Sequence, residues 1–155
     1  PASEVLGYWL AQVIGGVAAA AVAAQAYSSA VESALVNSPA GGDGQTFVLE
    51  MVATALFLIV ISAVATDDRA PWKGVLAPLA IGGFIFTAAT VVGPFTGGSF
   101  NPARSLAPAI LAGDGSDLWL YLVAPAAGGV IGGLVYWFIR RDPGAITEAQ
   151  EITER

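Results

Sequence analysis

The sequence predicts an all-α integral membrane protein of four transmembrane helices and one re-entrant half-helix. Three observations carry that expectation. The 155 residues are 55% hydrophobic and only 12% charged, with a mean hydropathy of +0.70, whereas soluble domains run near one quarter charged. Four almost uncharged runs are each long enough to cross hydrocarbon, which takes about 17–25 helical residues. A shorter apolar run sits between a glycine-rich loop and a further glycine. A chain of this length cannot hide so much apolar surface in one soluble core, so its solvent is a bilayer.

The same composition removes other classes. There is no cysteine and no histidine, so thiolate sites, disulfides and the commonest general base and zinc ligand are all missing. No metal site or cofactor is expected. The net charge of −6, without basic clusters, argues against nucleic acid. An intramembrane hydrolase needs a Ser–His pair or two intramembrane aspartates, and the runs hold neither, so no enzyme is expected. The chain starts at Pro1, and no charged segment precedes the first run as in a signal peptide. That start reads as a truncation.

The four runs are residues 5–24, 47–65, 75–92 and 118–139. A polar stretch containing Pro39 and Asp43 joins the first two, and a short charged turn, TDDRAPWK, follows the second. From Arg140 onward the chain is polar and acidic, as in a disordered or surface-lying tail. Arg69 and Lys73 follow the second run, and Arg140, Arg141 and Arg155 follow the fourth. Alternating spans put both groups on one side, which the positive-inside rule makes cytoplasmic. Gly128 with Gly132, and Gly129 with Gly133, form overlapping GxxxG pairs suited to close helix packing. Gly15 and Gly16 do the same in the first run. Trp9, Trp119 and Trp137 lie near span ends, where aromatic belts sit.

Between the third and fourth runs comes GPFTGGSFNPARSLAPAILAGDG. Gly93, Pro94, Gly97 and Gly98 are expected to stop the preceding helix and favour extended backbone. Asn101 followed by Pro102 is a strong helix start, an N-cap and then a residue suited to the first helical position. The run from Pro102 to Ala112 closes at Gly113. Eleven residues span about 16 Å, roughly half the hydrocarbon core. Pro108 removes one of its internal hydrogen bonds. The picture is a half-helix whose N-terminus reaches the membrane midplane, where irregular backbone is tolerated only inside protein or beside water. An Asn101 oxygen that caps the helix leaves its NH2 free to hold a passing water or alcohol. The carbonyls of Gly97, Gly98 and Ser99 can accept from the same molecule. Such a ladder replaces hydration without binding tightly, and the positive helix end with Arg104 repels protons and other cations.

Arg104 costs roughly 2.5–3.5 kcal/mol in lipid on insertion scales, so it should face a pore or a partner rather than snorkel to the interface. Glu50 is the only acid inside the four runs. A structural role, accepting hydrogen bonds from loop N–H groups, is preferred to proton relay.

GGSFNPARS, with Asn101, Pro102, Ala103 and Arg104, resembles the second NPA motif of the major intrinsic protein family, the aquaporins and aquaglyceroporins. GYWLAQVIGG, the Glu50–Thr54 spacing, LAPLAIG and VAPAAGGVIGG agree with it. The resemblance implies a right-handed bundle of six helices and two half-helices in inverted repeats, usually assembled as a homotetramer. This chain would supply the third to sixth helices and the second half-helix, without the first two helices and first NPA. Residues 1–139 would then be a channel domain and 140–155 a cytoplasmic tail, in the plasma (cell inner) membrane. The implied filter includes Arg104, with Ala89 and Gly98 at positions whose small size suggests a wide opening. Ser105 and Ala109 follow the water-selective pattern instead. Tyr121 and Leu122, before Pro125, resemble the nodulin-like plant channels and bacterial relatives, which pass glycerol, urea or neutral metalloid hydroxides. The expected function is a passive channel for water and small uncharged solutes. The rival is a secondary transporter, which also uses inverted repeats and midplane half-helices, and Glu50 is its sole candidate coupling residue.

Overall fold

A computed structural model describes residues 2–27, 35–69 and 73–140. Among them every regular element is helical: a 3-10 turn at Ala2–Glu4, then α1 (Val5–Tyr27), α2 (Asp43–Ile61), α3 (Ala77–Thr96), α4 (Pro102–Ala112) and α5 (Leu118–Arg140). A turn of π-helix, Ser62–Thr66, extends α2. Four of these segments are long and apolar enough to cross a membrane, and α4 is the short one. The acidic tail beyond Arg140, with Arg141 and Arg155, lies outside the described residues.

Two boundaries differ from the sequence expectation for physical reasons. The second span begins at Asp43 rather than Phe47, because an acid in the first turn complements the positive helix end. The third runs on through Gly93 and Pro94 to Thr96, although both were expected to stop it. Proline removes one N–H bond and leaves the rest of the ladder intact, and in hydrocarbon a backbone that leaves the helix must find other partners. The helix ends instead at Gly97, where φ is +79° and the N–H closes onto the Gly93 carbonyl at 2.8 Å. That left-handed conformation favours glycine.

Helices α2 and α5 pack along a seam of missing side chains. A Cβ on Gly128 would lie 2.2 Å from the Met51 carbonyl oxygen, and one on Gly132 would lie 2.2 Å from that of Ala55. A Cβ on Gly133 would meet no described atom of another element within 4 Å, so only one of the two overlapping GxxxG pairs forms this tight seam. Gly16 does the same work in α1, where a Cβ would meet the Ala107 Cβ of α4 at 2.8 Å. A small core of Ala53, Ala88, Val92 and Phe100 joins α2, α3 and the loop before α4. Phe57 and Phe84 stack beside it, ring centroids 5.1 Å apart. Large side chains such as Leu6, Val22, Phe86, Val91 and Leu134 stand exposed around the outside, as in a protein solvated by lipid.

At the far end from α4, Asp67 ties the α2 exit to α5. Its carboxylate accepts from Arg69 Nε at 3.1 Å, Arg69 Nη2 at 2.9 Å, the Arg69 N–H at 3.0 Å and the Tyr136 hydroxyl at 2.8 Å. Arg69 Nη1 also donates to the Arg140 carbonyl at 3.0 Å. The Arg69 side chain, then its N–H and the Tyr136 hydroxyl, hold the Asp67 carboxyl well below the usual carboxylate range. A depressed folded value means this tie is fully present above the unfolded value of about 3.9, and weakens only as pH falls toward the folded one. Protease nicking of the α2–α3 connection is therefore expected to be equally slow at about pH 7.5 and about pH 5. Asp67→Ala should be cut several-fold faster at both. Protection in the parent that fades over this window would mean the tie does not rest on the ionised Asp67.

Candidate pore segment

The half-helix is built as a capped entry. Asn101, extended at φ −157°, accepts through its side-chain oxygen from the Ala103 N–H at 2.9 Å and the Arg104 N–H at 3.4 Å. Pro102 follows at the first helical position, where its missing N–H costs nothing. With the oxygen committed to the cap, the Asn101 amide NH2 has no hydrogen-bond partner among the described residues. Eleven residues later the helix ends at Gly113. Beyond it, Asp114 accepts from the Ser116 N–H and hydroxyl, which hold its carboxyl below the usual range.

The loop leading into that cap is held by one buried carboxylate. Glu50, on α2, is fully buried. Its Oε1 accepts from the Thr96 hydroxyl at 2.7 Å and the Ser99 N–H at 2.9 Å, and its Oε2 from the Phe100 N–H at 2.7 Å. The Thr96 hydroxyl in turn accepts the Gly98 N–H at 3.0 Å, and the Tyr121 hydroxyl of α5 donates to the Thr96 carbonyl at 2.8 Å. Glu50 of α2 and Thr96 of α3 thus hold three loop residues, and Tyr121 of α5 braces Thr96 from behind. Burying a carboxylate is costly unless donors surround it, and here the donors are the loop itself. The grip holds Phe100 at φ +54°, a conformation non-glycine residues rarely adopt and that surrounding structure must over-determine. Among the described residues, nothing donates to the carbonyls of Gly97, Gly98 or Ser99.

A polar chain continues from the loop to Arg104. Asn101 N–H donates to Ser99 Oγ at 3.3 Å, Ser99 Oγ lies 2.5 Å from Ser105 Oγ, and Ser105 Oγ donates to Asn37 Oδ1 at 2.7 Å. Arg104 Nη1 donates to the same Asn37 oxygen and, at 3.4 Å, to the Leu35 carbonyl. Arg104 is exposed, as is Asn101. Both border one open groove of about 500 Å³ between α1 and α4, together with Gln12, Gly16, Ala103 and Leu35.

Of the residues singled out from the sequence, Asn101, Pro102, Ala103 and Arg104 sit on the first turn of α4, and Gly97, Gly98 and Ser99 lie in the loop that Glu50 grips. Ala89 stands exposed on α3, and no contact places it beside Arg104. Gly98 holds φ +63°, so it is the backbone that favours glycine there, while a Cβ would meet its nearest described neighbours at an ordinary 3.6 Å. Sequence reasoning missed Asn37 and Thr96, both buried. Asn37 is one of only two asparagines in the chain, Asn101 being the other. That scarcity within a loop of small residues was the available signal.

Comparison with known proteins agrees with this architecture. The family model described as "Major intrinsic protein" matches residues 1–136. Aquaporin NIP1-1 of Oryza sativa subsp. japonica is 41% identical over 140 residues, covering 90% of this chain and 49% of the relative. Aquaporin NIP3-1 of Arabidopsis thaliana is 38% identical over 155 residues, covering 96% and 47%. Probable aquaporin TIP2-2 of the same plant is 37% identical over 131 residues, covering 83% and 52%. The chain spans about half the length of the curated relatives it matches. Four membrane-spanning helices, the capped half-helix between the last two and the family match over most of its length together make this chain a multi-pass membrane protein belonging to the major intrinsic protein family.

Proposed function

We propose that this chain forms one wall of a passive pore for water and small uncharged solutes that excludes protons and ions. The observation that carries the reading is the first turn of α4. The Asn101 oxygen caps the helix, its NH2 has no partner among the described residues, and Arg104 borders the same open groove. A positive helix end and a guanidinium repel cations there, while one amide donor and the unpaired loop carbonyls exchange hydrogen bonds with a neutral solute. The relatives' names, all aquaporins, support it. Glu50 supports the channel against the transporter. It is fully buried and spends both oxygens on the loop, so it serves as a strut and not as a site on the solute path.

In this reading residues 1–139 are the channel unit and 140–155 a cytoplasmic tail. The protein sits in the plasma (cell inner) membrane as a homotetramer, and the rest of each pore wall comes from segments outside this sequence. Arg104, Ala89 and Gly98 are the filter positions. The small residues at 89 and 98 make it wide enough for glycerol-sized solutes.

The test uses the full-length protein in proteoliposomes, followed by light scattering after separate sucrose and glycerol jumps. Shrinkage faster than in empty vesicles, then rapid re-swelling in glycerol, is expected. Arg104→Ala should keep the water flux and gain a proton leak reported by an entrapped pH dye. Shrinkage without re-swelling would overturn the wide filter. No gain over empty vesicles would overturn the pore, and solute flux driven by an imposed proton or sodium gradient would favour the transporter.

A further inference from the structure

We infer that Ser99 is a positioning residue of the pore segment, whose hydroxyl fixes the Asn101 backbone and so aims the Asn101 amide into the groove. The inference deepens the pore reading and rests on it for its functional half. Ser99 is 4% exposed, and its own N–H is held by Glu50 Oε1 at 2.9 Å. Its side chain reaches two residues forward and binds both backbone polar atoms of Asn101. Ser99 Oγ accepts the Asn101 N–H at 3.3 Å and donates to the Asn101 carbonyl at 3.0 Å. A serine hydroxyl has one proton and two lone pairs. The proton and one lone pair go to Asn101, and the other lone pair faces Ser105 Oγ at 2.5 Å. Nothing is left over to contact a solute, so the hydroxyl acts only through Asn101.

The first turn of α4 hangs on the residue so held. Three successive N–H groups bond to Asn101. Those of Ala103 and Arg104 reach its side-chain oxygen at 2.9 and 3.4 Å, and that of Ser105 reaches its carbonyl at 3.3 Å. The amide can cap and still face the groove only while the Asn101 backbone keeps its extended setting, φ −157° and ψ 118°. Pro102 pushes residue 101 out of the helical region, but the extended region it leaves open is broad. Conformational preference therefore does not aim the side chain by itself, and the two Ser99 bonds narrow the choice. Order passes from the buried Glu50 carboxylate to the Ser99 N–H, from the Ser99 hydroxyl to Asn101, and from Asn101 to the helix.

Ser99→Ala removes the hydroxyl and leaves the Glu50 bonds to the loop N–H groups in place. Ser105→Ala is the control for loss of a buried hydroxyl, since it spares both Ser99 bonds to Asn101. The full-length parent and both variants are compared in proteoliposomes. Amide hydrogen exchange is read by mass spectrometry with fragments that separate Phe100 from the first turn of α4. Water permeability is measured over a range of temperatures, with the empty-vesicle flux subtracted. In Ser99→Ala the Ala103, Arg104 and Ser105 amides should exchange about tenfold faster, the size expected for a lost hydrogen bond, with Phe100 unchanged. Water flux should fall several-fold and its activation energy should rise. A smaller number of working channels would lower the flux at an unchanged activation energy, so the temperature dependence separates a mis-aimed donor from lost protein. In Ser105→Ala, exchange at Ala103 and Arg104 should stay as in the parent. Unchanged first-turn exchange in Ser99→Ala, equal acceleration in Ser105→Ala, or a Ser99→Ala flux with the parental activation energy would each overturn the inference. A parent with no flux above empty vesicles would overturn the pore reading instead, while the exchange rates would still decide whether Ser99 positions Asn101.

Discussion

Glu50→Ala is expected to destroy the pore segment rather than retune it. The substitution removes the acceptor of the Ser99 and Phe100 N–H groups, and the shorter of two acceptors of the Thr96 hydroxyl, inside a buried site. The hydroxyl keeps a long bond to the Val92 carbonyl at 3.4 Å, but the two N–H groups are orphaned. Each buried orphan costs about 1–3 kcal/mol, a large share of the roughly 5–15 kcal/mol that holds a fold together. Phe100 would also lose the bond that holds it at a strained positive φ. The expected outcome is a protein that melts far below the parent in detergent, or fails to assemble, with no water flux above empty vesicles. Glu50→Gln separates the strut from a proton relay. It keeps one oxygen to accept, but turns an NH2 toward donors, so it should fold with reduced stability and a pH-independent residual flux. Near-parental stability in Glu50→Ala would refute the strut. A flux whose pH dependence disappears in Glu50→Gln would point to the relay.

The second large effect is expected at the α2–α5 seam. A Cβ on Gly132 would sit 2.2 Å from the Ala55 carbonyl oxygen and 2.9 Å from its carbon. Backbone cannot swing aside as a side-chain tip can, so the helices must separate. Gly132→Ala should cost about 1–3 kcal/mol, the range for overpacking a tight contact. Gly132→Leu should prevent docking and leave Tyr121 unable to reach the Thr96 carbonyl it bonds at 2.8 Å. Gly133→Ala is the matched control. A Cβ there would meet no described atom of another element within 4 Å, so the substitution should be neutral or gain about 0.5–1 kcal/mol of helix propensity. Thermal unfolding in detergent, followed by size-exclusion fluorescence, reads all three. Equal melting shifts at 132 and 133 would mean that the seam does not decide the packing.

The helices were legible from sequence because their signals are local. Uncharged runs, the Asn101–Pro102 start and the glycine at 113 each act within one or two turns, and α4 runs from Pro102 to Ala112 as its signals require. The third span was misjudged at its end, since Gly93 and Pro94 weaken a helix in water more than in a setting where the backbone has no other partner. Which GxxxG pair packs tightly was not legible either. Gly128/Gly132 and Gly129/Gly133 are equivalent in pattern, and only the placement of α2 distinguishes them. Asn37 was hidden for a third reason. Its meaning comes from partners 67 and 68 residues away, and no local periodicity announces a pairing of that range. Glu50 stood out for the opposite reason: an acid alone in an apolar helix demands partners, even when the sequence does not say which.

The proposed pore stands or falls with Arg104 bordering the conducting path. This chain contains no cysteine, so a single thiol can be placed there in a full-length background whose other cysteines, if any, are replaced. The measurement is the water permeability of Arg104→Cys proteoliposomes before and after complete reaction with a small methanethiosulfonate reagent. A conducting variant is expected, with a flux that falls to the level of empty vesicles once the thiol is labelled, while the cysteine-free parent is unaffected. A fully labelled variant that conducts as before would contradict it.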